Sequence, residues 1–470
     1  MTFKTRLRCL ALLASVTTIL LVVLYRHQNK SSVDCQTSPD DPQCDRLNNA
    51  ELRFTDFPPT KRLPHLDAGA QWCRESELKK PEFLAGREPQ EWQEVPDRDV
   101  HVFSAFLDSR TKLGGPLIRI IASGLQEKYN NVGSLFCTMW YEDNEIPVTV
   151  GPAIYDLIYP SNHYPEMWVA HFILCPMPVV GNIGVPYAVS VTSTSCGPAS
   201  NALMVLNRFP STVDEISFAV CFAPVYGHSV SWSAFMEWIE LHKILGMTSA
   251  WFYNFSMEAN VDRVIARYSS NSSDNIHVVQ WKVPEDKLTS YFNQHGAIND
   301  CLYRAGHGHR YVTVQDIDEV MTPRKHPDWP AMMQFLFKPN VGAYLFQHAY
   351  FRRNTTGELP YLITQQSLWR TDVVTPPGKI RCKTMYRASK TIKADIHFPY
   401  KLVDTAEEYL LPPEDAMLHH YRSDPMETFR KHPEQFRFIE DRHMNRYKDR
   451  LRRSVIHRIR VFQMNKTNVL

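Results

Sequence analysis

The sequence predicts an open, largely parallel α/β domain preceded by a β-sandwich-like domain, with an N-terminal membrane anchor ahead of both. Three observations lead there. From Ile216 onward, strand-like and helix-like segments alternate. Residues 98–207 carry short apolar or alternating runs without a long helical pattern. Cys9 to Tyr25 is uncharged and apolar, with Lys4, Arg6 and Arg8 before it.

The chain has 470 residues, room for two domains with sizeable cores. Its net charge of +2 gives no global basis for binding nucleic acid.

The anchor comes first. "CLALLASVTTILLVVLY" at 9–25 is short for a span but suits the thinner early secretory membranes. The polar "RHQNKSS" after it offers no small-x-small cleavage site, so the segment reads as a retained signal anchor. The basic flank puts residues 1–8 in the cytoplasm and the body in the lumen, as a single-pass type II protein. Ten cysteines, nine of them beyond the anchor, are compatible with disulfides in an oxidising lumen. An odd number leaves at least one thiol unpaired within the chain, and Cys35 and Cys44 are close enough for a local loop. Sequons at Asn29, Asn254, Asn271, Asn354 and Asn465 fit the same topology.

Residues 26–97 read as a stem, because "TDFPPTKRLPHLDAG" cannot form one regular element. Residues 98–207 follow as the β-rich domain. "DVHVFSAFLDSR", "LIRIIASGL", "GSLFCTMWYED", "EMWVAHFILCPM" and "YAVSVTSTS" are separated by turn formers, and roughly seven strands are expected. A structural spacer is favoured over a sugar-binding module.

Residues 208–470 form the α/β domain. "ISFAVCFAPVY" is a buried strand. "SWSAFMEWIELHKILG" is a helix with Ser231 or Ser233 as cap and Gly246 as stop. "TSAWFYNFS" and "IHVVQWKVP" are strands around the helix "EANVDRVIARYSS". "LTSYFNQHGAINDCLYRAG" is a helix and "RYVTVQD" the next strand. In such sheets ligands bind beyond the carboxyl ends of the strands. There "DIDE" crowds Asp316, Asp318 and Glu319 together.

Carboxylates crowded this way suit a hard divalent cation, Mg²⁺ or Mn²⁺, that also binds phosphate. On a strand, Asp316 and Asp318 would point to the same side and share one metal, one of them directly. The metal would stabilise a nucleotide diphosphate as it departs. Asn299 and Asp300, on the preceding helix, are placed to reach a uracil or ribose. His419 and His420 offer a third metal ligand from a different chain segment.

At these residues the chain resembles glycosyltransferase family 92. The resemblance rests on "FAVCFAPVYG", "FMEWIELHKILGMTSAWFYNFS", "QHGAINDCLYR", "YVTVQDIDEV", "KTMYRASKTIKADIHFP" and "LHHYR", in family order over about 216–421. It implies an α/β GT-A-type nucleotide-sugar transferase domain and inverting chemistry. It also implies UDP-galactose as donor and Mn²⁺ as cofactor. Within the family the chain resembles the animal N-glycan β-1,4-galactosyltransferases, the avian one forming Galβ1-4Gal among them. N-glycan glycoproteins in the Golgi are then the expected acceptors. The same donor with a core fucose acceptor is the alternative, and a non-catalytic glycan-binding scaffold is the other. By the resemblance, Asp316 and Asp318 match the D-x-D, with Asp318 the direct metal ligand. Lys383, Arg387 and His397 would face the diphosphate or acceptor, and His419 or His420 matches the late histidine. "KTMYRASK" lacks the proline that many relatives carry after the arginine.

An inverting transfer needs one base near the acceptor hydroxyl. Glu358 in "TTGELPYL" and Asp372 in "WRTDVV" are the candidates. Near the C-terminus, Tyr447, Leu451, Val455 and Ile459 recur at i+4 steps, with basic residues on a solvated face.

Overall fold

The computed structural model describes residues 70–74, 78–83, 87–110, 115–160, 165–178, 184–211, 216–226, 231–284, 289–354, 362–372, 381–422 and 437–462. The anchor expected at 9–25, Cys35, Cys44, Asn29, Glu358 and Asn465 lie outside them. Among the described residues no helix is long and apolar enough to cross a membrane.

The first ten strands are β1 (Gln71–Trp72), β2 (Gln93–Glu94), β3 (Val100–Asp108), β4 (Leu117–Leu125), β5 (Phe136–Trp140), β6 (Val148–Val150), β7 (Ile154–Leu157), β8 (Trp168–Pro176), β9 (Ala188–Thr192) and β10 (Leu203–Leu206). They join in the order β1-β6-β5-β9-β10-β3-β4-β8-β7, with β2 on β3. The sheet encloses its own core. Val102, Ile118 and Ile120 from β3 and β4 pack with Met139, Val148 and Val191 from β5, β6 and β9. The Cys137–Cys175 disulfide ties β5 to β8. Residues expected in the stem contribute β1 and β2, and Cys73 is bonded to Cys196.

The α/β part continues with β11 (Phe218–Tyr226), α1 (Trp232–Leu245), β12 (Ser249–Ser256), α2 (Ala259–Ser269), β13 (Ile276–Gln280), α3 (Gln294–Gly306) and β14 (Tyr311–Gln315). Then come β15 (Glu319–Pro323), α4 (Trp329–Leu336), β16 (Val341–Phe346), β17 (His348–Arg352), α5 (Ile363–Gln366) and β18 (Trp369–Thr371). The chain closes with β19 (Lys383–Arg387), β20 (Thr391–Ala394), β21 (Pro399–Leu402), β22 (Glu407–Leu410), β23 (Ala416–Arg422), β24 (Phe438–Glu440) and α6 (Lys448–Val461). One sheet runs β13-β12-β11-β14-β19-β16-β22, and a second runs β15-β23-β17-β18-β24. Strands β13, β12, β11 and β14 are mutually parallel, whereas β19 is antiparallel to β14. This is an α/β fold with mixed sheets.

Local chemistry sets the helix ends. Ser231 Oγ accepts the Ala234 amide at 3.3 Å and caps α1. Gly246 ends α1 at φ +109°, where a Cβ would also stand 2.5 Å from Pro330 Cδ. Phe235, Trp238, Ile239 and Leu245 of α1 are buried, each contributing roughly 1.5–3 kcal/mol of apolar burial. On α6, Leu451 and Val455 are buried, while Arg458 reaches Glu240 of α1 at 3.1 Å.

The predicted helix around "LTSYFNQHG" differs in its first part. Tyr291, Phe292 and Asn293 are all left-handed, with φ of 43°, 56° and 57°, and α3 starts only at Gln294. A disulfide joins Cys221 of β11 to Cys301 of α3. The β-rich sheet lies directly on this side of the fold. Phe103, Phe106 and Phe172 share a core with Trp281, Ile298 and Val314.

Candidate active site

The parallel strand β14 ends in a turn rather than carrying the acids along a strand. The Glu319 amide donates to Asp316 O at 3.1 Å, and the Asp316 amide donates to Glu319 Oε2 at 3.2 Å. Around this turn Asp316 meets Lys383 and Asp318 meets His420, and Glu319 lies within reach of both partners. Beneath it, buried Gln315 accepts the Met321 amide at 3.2 Å and donates to Thr313 Oγ1 at 2.9 Å.

Asp316 turns to Lys383. The lysine Nζ lies 2.8 Å from Asp316 Oδ2 and 3.0 Å from Glu319 Oε2. Burial disfavours its ammonium, but the two carboxylates raise its pKa above the ordinary lysine value. Burial likewise opposes ionisation of Asp316, yet Lys383 wins and holds it below the usual aspartate value. At Glu319 burial prevails over Lys383, with Asp316 adding repulsion, and the carboxyl is pushed up.

Asp318 turns to His420. The imidazole Nε2 is 3.3 Å from Asp318 Oδ2, and Nδ1 is 3.5 Å from Glu319 Oε1. Antiparallel pairing of β15 with β23 sets Glu319 opposite His420 and creates this meeting. His419 is a different case. Strand alternation turns it to the opposite face, where it is fully buried and stacked on Phe351 at 4.2 Å. Its Nδ1 is 3.1 Å from Tyr421 Oη. The expectation of a metal role for His419 is corrected to a core role.

Three other expectations are also corrected. Asn299 is fully buried and its amide bridges His295 O and Ala394 O at 2.8 and 2.9 Å. Asp300 is fully buried too, accepting from Ser104 at 2.5 Å, from Arg304 and from the Tyr253 hydroxyl. Both are committed to the packing of the fold, which leaves neither for a uracil or ribose. Arg387 sits at the far end of β19, opposite Tyr311 at the start of β14, and donates to Pro339 O at 2.8 Å. The length of β19 separates it from the acid turn.

His397 lies beside the segment that carries Lys383. Its carbonyl accepts from Thr384 at 2.8 Å and its Nδ1 is 3.1 Å from Cys382 O. Burial and then Lys383 bring its pKa down to about 4. Asp372 follows β18 and is exposed. Of the described sequon residues, Asn254 is half-buried, while Asn271 and Asn354 are exposed.

Several residues at the site were not singled out in the sequence. Tyr226, at the end of β11, is 45 % exposed, and Tyr291 is 59 % exposed. Burial, with Tyr291 and Asp316 adding to it, raises the Tyr226 pKa above the ordinary tyrosine value. Glu237 of α1 accepts the Ile363 and Thr364 amides at 2.7 and 2.9 Å, anchoring α5 beside a cavity of about 30 Å³ bordered by Asp318. His295 and Asp395 form a pair at 2.8 Å. The signal for His295 was its i, i+4 relation to Asn299.

A carboxylate and an imidazole, Asp318 and His420, are ligands that suit Mn²⁺. Among the described residues no three His, Cys, Asp or Glu side chains are arranged to hold a metal.

An α/β sheet with acids at the end of a parallel strand is compatible with a glycosyltransferase. The pattern of glycosyltransferase family 92 matches residues 216–455, about half of the chain. The chain belongs to glycosyltransferase family 92. No curated protein matches it. Among solved structures, S. aureus TarS 1-349 is similar at 12 % identity and a TM-score of 0.24, over 52 % of this chain. The chain spans 65 % of the length of that TarS chain. A UDP-glucose pyrophosphorylase complexed with UDP-glucose is similar at 10 % identity and a TM-score of 0.22, over 53 % of this chain and 98 % of its own. TM-scores this low leave the reading to the family and the site.

Proposed function

We propose that this protein is an inverting β-1,4-galactosyltransferase. It moves galactose from UDP-galactose to a terminal β-galactose of N-glycans, forming Galβ1-4Gal on glycoproteins. The observation that carries the reading is the pair of contacts at the end of β14, Asp316 with Lys383 and Asp318 with His420. They put a charged lysine and two prospective metal ligands where a nucleotide diphosphate would lie. Asp318 and His420 would hold Mn²⁺. The cation would offset charge gathering on the departing UDP. Neutral His397 would face the diphosphate, and Lys383, buried between Asp316 and Glu319, would offset the charge of these acids from beneath. For the proton of the acceptor hydroxyl, Glu358 and Asp372 stand as the candidates from the sequence. Donor identity and stereochemistry follow from the family resemblance.

We place the protein in the Golgi membrane, anchored by residues 9–25, with its catalytic part in the lumen. The three disulfides support an oxidising compartment.

The test is UDP release from UDP-galactose with Mn²⁺ and defined N-glycans. Turnover is expected with glycans ending in β-galactose. Turnover only with core-fucosylated glycans would move the acceptor assignment to fucose. Absence of UDP release with every acceptor and sugar nucleotide would remove the transferase reading.

A further inference from the structure

Helix α3 crosses over between β13 and β14 of the parallel sheet, so its first turn, with His295, starts at the end of the sheet where the strands finish. The ring is held from two sides. Its Nε2 is 2.8 Å from Asp395 Oδ1, and Tyr159 of the β-rich part stacks on it at 4.4 Å with an interplanar angle of 3°. Asp395 is 4 % exposed, whereas the His295 side chain is 16 % exposed. The buried member thus orients the accessible one. With Nε2–H donated to Asp395, the lone pair is on Nδ1.

The backbone on both sides is built to hold this pair. Asn299 bridges the His295 carbonyl to Ala394, the residue before Asp395, through Nδ2, and accepts the Ala394 amide at 2.9 Å. The Tyr386 hydroxyl donates to Asp395 O at 2.6 Å. Just before α3, three consecutive non-glycine residues are left-handed, a conformation kept only where the surroundings impose it. That run leaves Tyr291 out at the mouth beside Tyr226.

Asp395 stands two residues before His397, whose Nδ1 is 3.1 Å from the Cys382 carbonyl, and the next residue, Lys383, meets Asp316 at 2.8 Å. Burial opposes ionisation of Asp395, but His295 overrides it and keeps the carboxylate charged. By contrast, Asp372 is exposed and has no hydrogen-bond or ion-pair partner among the described residues.

We propose that His295, oriented by Asp395 and Tyr159, is the general base of the transfer, in place of Glu358 or Asp372. The assignment presupposes the transfer reaction proposed for this site. The acceptor hydroxyl gives its proton to His295 Nδ1, and its oxygen bonds to the anomeric carbon of the donor sugar. The bond from that carbon to the β-phosphate oxygen breaks, and its electron pair leaves on UDP. Asp395 stabilises the imidazolium formed, and is a positioning residue.

The experiment compares wild type, His295→Gln, His295→Ala and Asp395→Asn. It reads kcat with an N-glycan acceptor, the Kd for UDP-galactose with Mn²⁺ by calorimetry, and rescue of His295→Ala by added imidazole. Melting curves confirm folding, and His295→Gln retains a donor for Asp395. Both His295 variants should lose about 10²–10⁴-fold in kcat. Donor Kd should stay within about threefold of wild type, and imidazole should restore part of the His295→Ala rate. A kcat within about tenfold of wild type overturns the assignment, as does donor affinity that falls in step with kcat. A wild type that turns over while His295→Gln is undiminished sinks only the base. A wild type that neither binds nor turns over any sugar nucleotide sinks the transferase reading and the base with it.

Discussion

The Lys383 ammonium lies 2.8 Å from the Asp316 carboxylate, with the lysine side chain 1 % exposed and the aspartate 43 % exposed. A buried lysine is costly unless paired, and here two carboxylates share it. The half-exposed aspartate keeps a free side toward solvent. The arrangement sets up a local positive group beneath an acidic surface, where a diphosphate and its cation would meet.

Lys383→Met should therefore leave Glu319 and Asp316 close together without their cation. Because Asp316 is partly exposed, the low end of the cost of breaking a buried pair applies, about 3 kcal/mol. Urea unfolding at pH 7 measures it. The deficit should shrink in mild acid, where the carboxylates protonate, and a variant as stable as wild type at pH 7 would contradict the pairing.

The neighbouring histidines should separate cleanly. His419→Ala removes a buried ring stacked on Phe351 and should cost about 2–4 kcal/mol. His420→Ala should melt close to wild type yet require more Mn²⁺ for half-maximal activity. Interchanged phenotypes would mean that β23 presents the opposite face to the acids.

Two buried groups give stability opposite slopes below neutral pH. Burial lowers His171 to about 3, so its folded pKa is depressed below the ordinary 6.5. The unfolded state then takes up the proton first, and stability is lost as pH falls below about 6.5. Burial raises Glu237 to about 7 from 4.5, which its hydrogen bonds to Thr364 only partly oppose. Its contribution is complete below about 4.5 and is lost as pH rises toward 7. Between about pH 4.5 and 6.5 these slopes oppose each other, so variants separate them: melting temperature should fall less on acidification in His171→Phe, and should decline less from about pH 4.5 to 7 in Glu237→Gln, than in wild type. Variant profiles that run parallel to the wild type would contradict both.

Galactose is α-linked in UDP-galactose, and one displacement inverts it. NMR of the product should show a β-linked galactose. An α-linkage would replace the single general base by a different arrangement.

Much of the α/β order was legible in the sequence because local signals agreed with the tertiary fold. Ser231, Gly246 and the apolar face of α1 are an example. The acid cluster was legible as chemistry, although it lies in a turn between β14 and β15 rather than along a strand. The roles that were missed depend on distant partners. Asn299 is claimed by Ala394, and Asp300 by Ser104 of the β-rich part. Which histidine of the pair faces the acids is set by the register of β15 on β23. The left-handed run at Tyr291–Asn293 contains neither Gly nor Pro, so nothing local announced the break before α3.

The most direct measurement is UDP-galactose turnover against Mn²⁺ concentration for wild type and Asp318→Asn, with thermal melting beside it. Asp318 meets His420 and crowds Glu319, so its neutralisation removes a metal ligand and relieves like-charge repulsion. The account predicts that Asp318→Asn melts at or slightly above wild type without metal, and that its turnover is nearly abolished at every Mn²⁺ concentration. Chelator should silence the wild type, and added Mn²⁺ should restore the wild type alone. Full turnover by Asp318→Asn, or wild-type turnover undiminished in excess chelator, would contradict the account.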